Sequence, residues 1–587
     1  MSKNIEVLKY FDINKKSIIL IAISFFAIQK LFFISQYSIN FPYSVDHIVF
    51  GYFIDYLVDG GSFTHYLFST HSEHYLIFPR LIMLPNLILN NFNFINSFYI
   101  QWMVLSATMA VIYLLINKTN RSISWILIPI SAFIYSPLIN SEMALWYNQW
   151  YLPAFGFVLV IYFFDSKKLN FKSFGAASSA GFLATFSCII GIVGWIPALF
   201  LLLRNYFTEK NLSNIRWIAL WFPCVVLVGI TFYFFNNISE SEDGLSVLFT
   251  SQGLNFILTF ISAAFRLKFH SLMILTGILS IIFSAFCMYY FIFIEKKIKQ
   301  VIPWISFLLI GIISAAVTAL GRAHYIDHLG NEPYYIPISQ FFQIGLIVLA
   351  ALMIFEIKKQ QKSNNKKIIL IILYLIIFSH MLLLAPSYYS GWVRGEHYLQ
   401  EKLILIECLS LKYDKNCINF YEHMLDPTNS RDQEYNFLLE NNLSIFSEKD
   451  FSLNQNELDD YEKIKNDLTP SVGYGKIESI NNNSLDGQDT INVEDNIIIL
   501  KGWAIDSEKN ELDNLFLLVN GLPLSKSEEF DLRTDLIASF DIDDSERAGW
   551  TFSFLSGHLD DGCSSLSLVS YKNQNLIKFS DTLQICK

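Results

Sequence analysis

The sequence predicts a polytopic α-helical membrane protein of about eleven spans, followed by an extracytoplasmic helical segment and a small all-β sandwich domain. Three observations carry this. Of 587 residues, 53% are hydrophobic and only 16% charged, with a mean hydropathy of +0.38, which excludes a single soluble globule. Apolar runs of near-bilayer length recur along the first two thirds of the chain. After about residue 470 the pattern switches to short β-rich runs separated by Asp, Asn, Gly and Ser.

The apolar runs lie near 17–36, 97–116, 124–138, 151–165, 174–187, 189–203, 216–235, 271–294, 301–319, 338–356 and 368–386. Those between 124 and 203 fall short of the usual ~20 residues, so each reads either as a span or as a broken, re-entrant helix. No cleavable-looking signal precedes the first run, which reads as a retained anchor. Lys and Arg set the orientation, because cytoplasmic loops keep an excess of them. They cluster at Lys3, Lys9, Lys15 and Lys16; at Lys118 and Arg121; at Lys167, Lys168 and Lys172; at Arg204, Lys210 and Arg216; at Lys296, Lys297 and Lys299; and in KKQQKSNNKK at 358–367. Threading the spans between these loops places the amino terminus inside and everything after about Leu384 outside. The net charge of −10 comes mainly from this tail and reads as solvated surface.

Between the first two runs lies a polar island, Ser44 to Arg80, on the outer face. Asp46 is the candidate general base: it comes just beyond the first span, where neighbouring groups can hold a carboxylate and exclude water. Asp55 and Asp59 sit on or after an amphipathic surface stretch, FGYFIDYLV. The plainer alternative for any loop Asp is a solvated residue or a helix cap. In HSEHYLIFPRL, His71 and His74 are three apart, whereas a zinc-peptidase motif needs four, so no metal is assigned. No cofactor is implied, and metal dependence stays open. Glu73 and His74 suit hydrogen bonds to a substrate hydroxyl, and Arg80 suits a carboxylate or phosphate. The alternative is an interfacial helix whose first turn holds Pro79.

Two further outward stretches add candidates. In GRAHYIDHLGNEPYYIP at 321–337, Arg322 can neutralise a lipid-linked phosphate, with His324 and Tyr335 lining the approach. Snorkelling of Arg322 to the headgroups is the alternative. SPLINSEMALWYNQWYLP at 136–153 adds Glu142, Trp146 and Gln149, although an aromatic belt alone accounts for the tryptophans.

The domains divide as 1–386 (membrane), 387–470 (helical and polar, with EHYLQEKLILIECLSL at helical spacing) and 471–587 (β). NIIILKGWAID, NLFLLVNG, AGWTFSF and SLSLVSY read as strands, and INNNSLDGQD as the turn-rich approach to them. Cys188, Cys224 and Cys287 fall in or beside spans and read as small apolar packers. Cys408, Cys417, Cys563 and Cys586 fall in the tail, where disulfides persist, and pairing within each sub-domain is expected: Cys408–Cys417 and Cys563–Cys586.

Several stretches together resemble the GT-C superfamily of membrane glycosyltransferases, in particular bacterial multi-span proteins that decorate surface polysaccharides such as O-antigen. The matching features are Asp46 after the first span, Glu73-His74 with Arg80, Ser136-Pro137 with Trp146 and Gln149, and Gly321-Arg322. The resemblance covers roughly residues 17–450. Tyr75 and Glu332-Pro333-Tyr334-Tyr335 depart from it, standing where the family often has Arg and an Arg-Tyr pair. In the tail, Gly502-Trp503-Ala504, Asp506, Val519-Asn520-Gly521, Arg533, Asp535, Gly549-Trp550 and Phe552 resemble a β-sandwich module of bacterial surface proteins and glycosyltransferases, its Trp and Gly residues reading as core and turns, with a carbohydrate-contacting role as the alternative. The resemblance implies an inverting transfer of sugar from a polyprenyl-phosphate donor to a glycan hydroxyl, outside the bacterial cytoplasmic membrane, with Asp46 as base and Arg322, helped by Arg80, at the leaving phosphate. The implied partners are that donor, a glycan acceptor and the lipid bilayer, with no nucleic acid. A lipid-linked glycan flippase and a polysaccharide polymerase or ligase are the alternatives.

Overall fold

A computed structural model gives the structure of the protein and describes residues 2–38, 40, 62–71, 74–137, 148–166, 169–209, 215–235, 244–323, 330–359 and 364–410, with most of 471–586. The chain divides into two compact units, Met1–Tyr398 and Leu399–Lys587.

The first unit is helical. α1 (Ser2–Tyr37) buries Ile19, Lys30, Phe33 and Ile34, while Ile18, Leu20, Ile21, Phe25, Ile28 and Phe32 face outward. Large apolar side chains exposed along a helix packed on its other side are what contact with lipid requires. Next come α2 (Phe63–Phe68), a small hairpin of β1 (Thr70–His71) and β2 (His74–Tyr75), and α3 (Ile77–Leu89). α4 (Ile95–Asn120) leads through a 3₁₀ turn, Arg121–Ile126, into α5 (Leu127–Ile134). This stretch is apolar on either side of residues 117–122, and it is not one rod: Tyr135 Oη donates to Ser106 Oγ at 3.1 Å, so the chain doubles back. Asn120 caps the turn by accepting from Ser122 N at 2.9 Å.

α6 (Asn148–Phe164) and α7 (Phe171–Thr185) follow, the latter opened by a capping box between Asn170 and Ser173. A 3₁₀ segment, Ile189–Gly194, precedes α8 (Trp195–Glu209), which packs beside α9 (Ile215–Phe235) through Trp195 and Trp221. Both indoles are satisfied, Trp195 Nε1 by Thr185 Oγ1 at 2.8 Å and Trp221 Nε1 by the Trp195 carbonyl at 3.2 Å. The bundle is completed by α10 (Ser251–Ser262), α11 (His270–Tyr289), α12 (Ile298–Arg322), α13 (Ile336–Lys359) and α14 (Asn364–Ser410). α13 is the central pillar: every residue from Ile336 to Ile354 is buried, as expected of a helix apolar on all sides.

Among the described residues, seven segments are long and apolar enough to cross a membrane: Lys16–Tyr37, Ile95–Ile134, Ile189–Phe207, His270–Ile294, Ile298–Arg322, Pro333–Lys359 and Lys367–Glu396. The expected count of eleven is not confirmed. The run at 174–187 forms only the 15-residue α7, about 22 Å long at 1.5 Å per residue against a hydrocarbon core of roughly 30 Å. The domain boundary expected at 386 also falls inside a helix, because α14 runs on through Pro386 to Ser410.

One end of the bundle gathers the basic loops. Asp165 pairs with Arg204 at 2.7 Å and with Lys118 at 2.9 Å, and Arg204 also reaches the Lys299 carbonyl at 3.4 Å. Beside them Lys297 pairs with the buried Glu356 and lies 3.5 Å from Glu295. Burial depresses the Lys297 pKa, but the Glu356 and Glu295 carboxylates outweigh it and raise the ammonium above its ordinary value.

Beyond the end of α14, the described residues of the second unit form strands and their turns. Its strands are β3 (Ser471–Ile480), β4 (Asn483–Ser484), β5 (Thr490–Asn492), β6 (Ile497–Ile505), β7 (Leu515–Val519), β8 (Leu522–Ser527), β9 (Asp531–Leu532), β10 (Arg547–Leu555), β11 (Cys563–Lys572) and β12 (Asn575–Cys586). Their order is β8-β7-β11-β12-β3-β6-β10-β9, with β4 on β3 and β5 on β12. β3 pairs in parallel with β12 through its first residues and antiparallel with β6 through the rest. INNNSLDGQD is therefore not an approach to the strands: it starts at the end of β3 and contains β4, and Asn481, at φ +47°, makes the turn.

The quoted Gly and Trp residues are structural. A Cβ on Gly502 would lie 2.1 Å from the Lys476 carbonyl oxygen and 2.5 Å from the Trp550 ring, so glycine there lets Trp550 enter the core. Asn520 and Gly521, both at positive φ, make the tight turn between β7 and β8. Arg533 grips Glu478 through both guanidinium nitrogens, at 2.7 and 3.1 Å, while Asp535 lies outside the described residues. Cys563 and Cys586 face each other across β11 and β12 and form the expected disulfide. Cys417 lies outside the described residues, as does the side chain of Cys408. Replacing Cys563 and Cys586 together by Ser is expected to remove about 3 kcal/mol in the chain-entropy view, read as a lower melting temperature of the non-reduced protein in detergent. An unchanged melting temperature would contradict it. Cys188, Cys224 and Cys287 are not in disulfides, and the first and last of them are buried.

Candidate functional site

Asp46, Glu73, Glu142 and His324, with Asp55, Asp59 and Trp146, lie outside the described residues, and so does the side chain of His71. The remaining site residues predicted from sequence are described, and most of them meet.

The meeting point is Trp150, in the first turn of α6. Its ring lies 6.2 Å from His74, 5.4 Å from Tyr334 and 5.7 Å from Tyr335, all between centroids. Tyr334 and Tyr335 stand edge to face at 4.5 Å, and Phe260 backs Tyr335 at 5.1 Å. Offset and edge-on aromatic pairs of this kind are each worth ~0.5–1.5 kcal/mol beyond burial, so three distant segments are locked together. Arg322, at the end of α12, and Glu332 lie within Coulombic reach of the Tyr335 hydroxyl. Gln149 precedes Trp150 and is 1% exposed. Neither end of its amide, nor the Trp150 indole N–H, has a hydrogen-bond partner among the described residues. An unsatisfied buried polar group costs roughly 1–3 kcal/mol.

The local chain sets these positions. His74 follows the β1–β2 turn and is buried, with Cys188 Sγ 3.7 Å from its Nδ1. Tyr334 and Tyr335 belong to a 3₁₀ turn opened by Pro333 that feeds directly into α13. Before it, Gly330 at φ +72° presses against α10: a Cβ there would lie 2.5 Å from the Phe256 carbonyl oxygen and 2.7 Å from Thr259 Oγ1. Gly330→Ala is expected to cost about 1–3 kcal/mol and to loosen the Tyr334–Tyr335 turn. Gly321→Ala, in open space within α12, should be neutral or slightly stabilising. Melting temperatures of the two variants check this, and equal values would refute it.

Arg80 lies in α3. It is fully buried and donates through Nη1 to the Tyr66 and Ser69 carbonyls at 2.6 Å each and to Leu67 at 3.4 Å, with its guanidinium 5.3 Å from the Tyr66 ring. Burial pushes the Tyr66 hydroxyl up to about 12, with the Arg80 charge pulling the other way. In this structure Arg80 therefore ties the α2–β1 segment to α3.

Trp150 and Lys30 were not selected from sequence as site residues. Trp150 lies in the stretch that supplied Trp146 and Gln149, but nothing in the pattern separates one tryptophan from the other. Lys30 has a signal, a charge within a span. It is buried, donates to the Ser136 carbonyl at 3.1 Å and lies 4.8 Å from the Phe33 ring, which ties α1 to the Ser136-Pro137 pair. His380, also within a span, is buried between the Ile376 carbonyl and Gln343 Oε1, at 2.8 and 3.1 Å from its two ring nitrogens.

The aromatic cluster and the basic-loop cluster lie at opposite ends of the same helices. α6 runs from Gln149 and Trp150 toward Asp165, and α13 runs from Tyr335 toward Glu356. No protein-family model, curated protein or solved structure matches this chain.

Proposed function

We propose that the chain is a GT-C-like glycosyltransferase of the bacterial cytoplasmic membrane, moving a sugar from a polyprenyl-phosphate donor to a hydroxyl of a lipid-linked or surface glycan on the outer face. The observation that carries this reading is the convergence of His74, Trp150 and Tyr335 from three separate segments, with Arg322 within Coulombic reach of Tyr335, at the bundle end opposite the basic loops. With the basic loops cytoplasmic, this end faces outward, the amino terminus lies inside and the β domain outside, as an eleven-span threading requires.

In the proposed reaction the donor's lipid tail lies against the spans and its phosphate against Arg322. Asp46 takes the proton of the acceptor hydroxyl, the new C–O bond forms at the anomeric carbon, and the bond to the phosphate breaks with inversion. The polyprenyl phosphate leaves as an anion, so it needs charge stabilisation rather than a proton. The test is transfer of sugar from a polyprenyl-phosphate donor by membranes containing the chain, together with mass analysis of surface glycans with and without it. Reporter fusions at Gly60 and Asn482 should both report the outer face, and opposite locations would overturn the threading.

The buried Lys30 and His380 favour a second reading, a lipid-linked glycan flippase, because ionisable groups within spans often mark a transport path. Movement of the lipid-linked glycan across the bilayer without any sugar transfer would select it. A polymerase or ligase would instead transfer a preassembled glycan, which the same mass analysis distinguishes.

A further inference from the structure

We infer that the start of α6 is a hydroxyl-recognition subsite for a neutral sugar ring, with Gln149 and Trp150 as the residues that read it. The inference rests on the outward site proposed above and assigns its parts. Gln149 and Trp150 are 1% and 4% exposed, and they present an amide N–H₂, an amide oxygen and an indole N–H that have no partner among the described residues. Trp150 is fixed among His74, Tyr334 and Tyr335, so its indole is held in place by aromatic rings.

The balance of donors and acceptors selects the ligand. A phosphate or carboxylate only accepts, so it would meet the indole N–H and the amide N–H₂ but leave Gln149 Oε1 unsatisfied. A hydroxyl both donates and accepts, so sugar hydroxyls can meet the donors and the acceptor alike. Aromatic rings also suit the apolar C–H faces of a sugar, and a neutral amide gives no reason to select a charged one. Arg322 lies within Coulombic reach of the Tyr335 hydroxyl and suits the phosphate end of the same donor. The subsite therefore reads the sugar, and Arg322 reads the phosphate.

The experiment uses the full chain purified in detergent and the methyl glycosides of glucose, galactose, mannose and rhamnose, with binding read by saturation-transfer NMR. At least one glycoside should bind. Trp150→Phe, which keeps a ring and loses the N–H, and Gln149→Leu should each weaken that binding about tenfold, with inorganic phosphate failing to compete. Melting temperatures check that both variants fold, and Gln149→Glu provides a second variant that keeps the acceptor and loses the donor. If no glycoside binds the unaltered chain, or if both substitutions leave binding unchanged, the inference is wrong. Glycoside binding that depends on Gln149 in a chain that transfers nothing would keep the inference and remove the transferase. Transfer with an unchanged KM in Trp150→Phe and Gln149→Leu would do the reverse.

Discussion

Asp46→Asn is expected to lower sugar transfer by ~10²–10⁴-fold, the usual cost of losing a general base. The substitution keeps the shape of the side chain and removes its proton acceptor, so the amount of inserted protein should not change. Asp55→Asn and Asp59→Asn should do much less if those acids face water. Arg322→Lys should fall between, because it keeps the charge near Tyr335 but loses the fork that matches a phosphate. The measurement is transfer from a polyprenyl-phosphate donor in membranes, normalised to inserted protein. Near-normal turnover in Asp46→Asn with loss in Asp55→Asn or Asp59→Asn would reassign the base. If all three acids proved dispensable, the flippase reading would gain.

Arg80→Leu is expected to destabilise the protein by roughly 3 kcal/mol, since two charge-assisted bonds at about 1.5 kcal/mol each are lost and their carbonyl acceptors stay buried. The readout is melting temperature in detergent and abundance in membranes. Arg80→Lys separates a structural role from substrate contact. An ammonium can still meet the Tyr66 and Ser69 carbonyls, so it should recover part of the stability. If Arg80→Lys melts normally and yet loses transfer, Arg80 touches substrate, as the sequence alone suggests. If Arg80→Leu melts normally, the tie between α2 and α3 is not the source of its burial.

Much of the architecture was legible because it depends on local composition. Bilayer-length apolar runs, basic loops and the change of period after residue 470 are properties of contiguous residues, and a membrane or a sheet face enforces them directly. NIIILKGWAID, NLFLLVNG, AGWTFSF and SLSLVSY became β6, β7, β10 and β11 for this reason, and Cys563 and Cys586 paired because they end two adjacent strands. Span length was less legible. Hydropathy does not say whether a 15-residue apolar stretch such as α7 lies across a bilayer or within a bundle, since both are apolar surroundings.

The site divides along the same line. His74, Gln149, Arg322 and Tyr335 could be named from sequence, because polar residues beside apolar spans are conspicuous. That His74 and Tyr335 meet around Trp150, with Arg80 turned into a buried staple and Lys30 bound to the Ser136 carbonyl, was decided by tertiary structure alone. The sequence by itself determined which side chains were available, because type and periodicity are written in order along the chain. Only the folded bundle decided which of them meet. Contacts between residues 74, 150 and 335 depend on helix packing and on close approaches such as Gly330 against Phe256, and no local pattern encodes those.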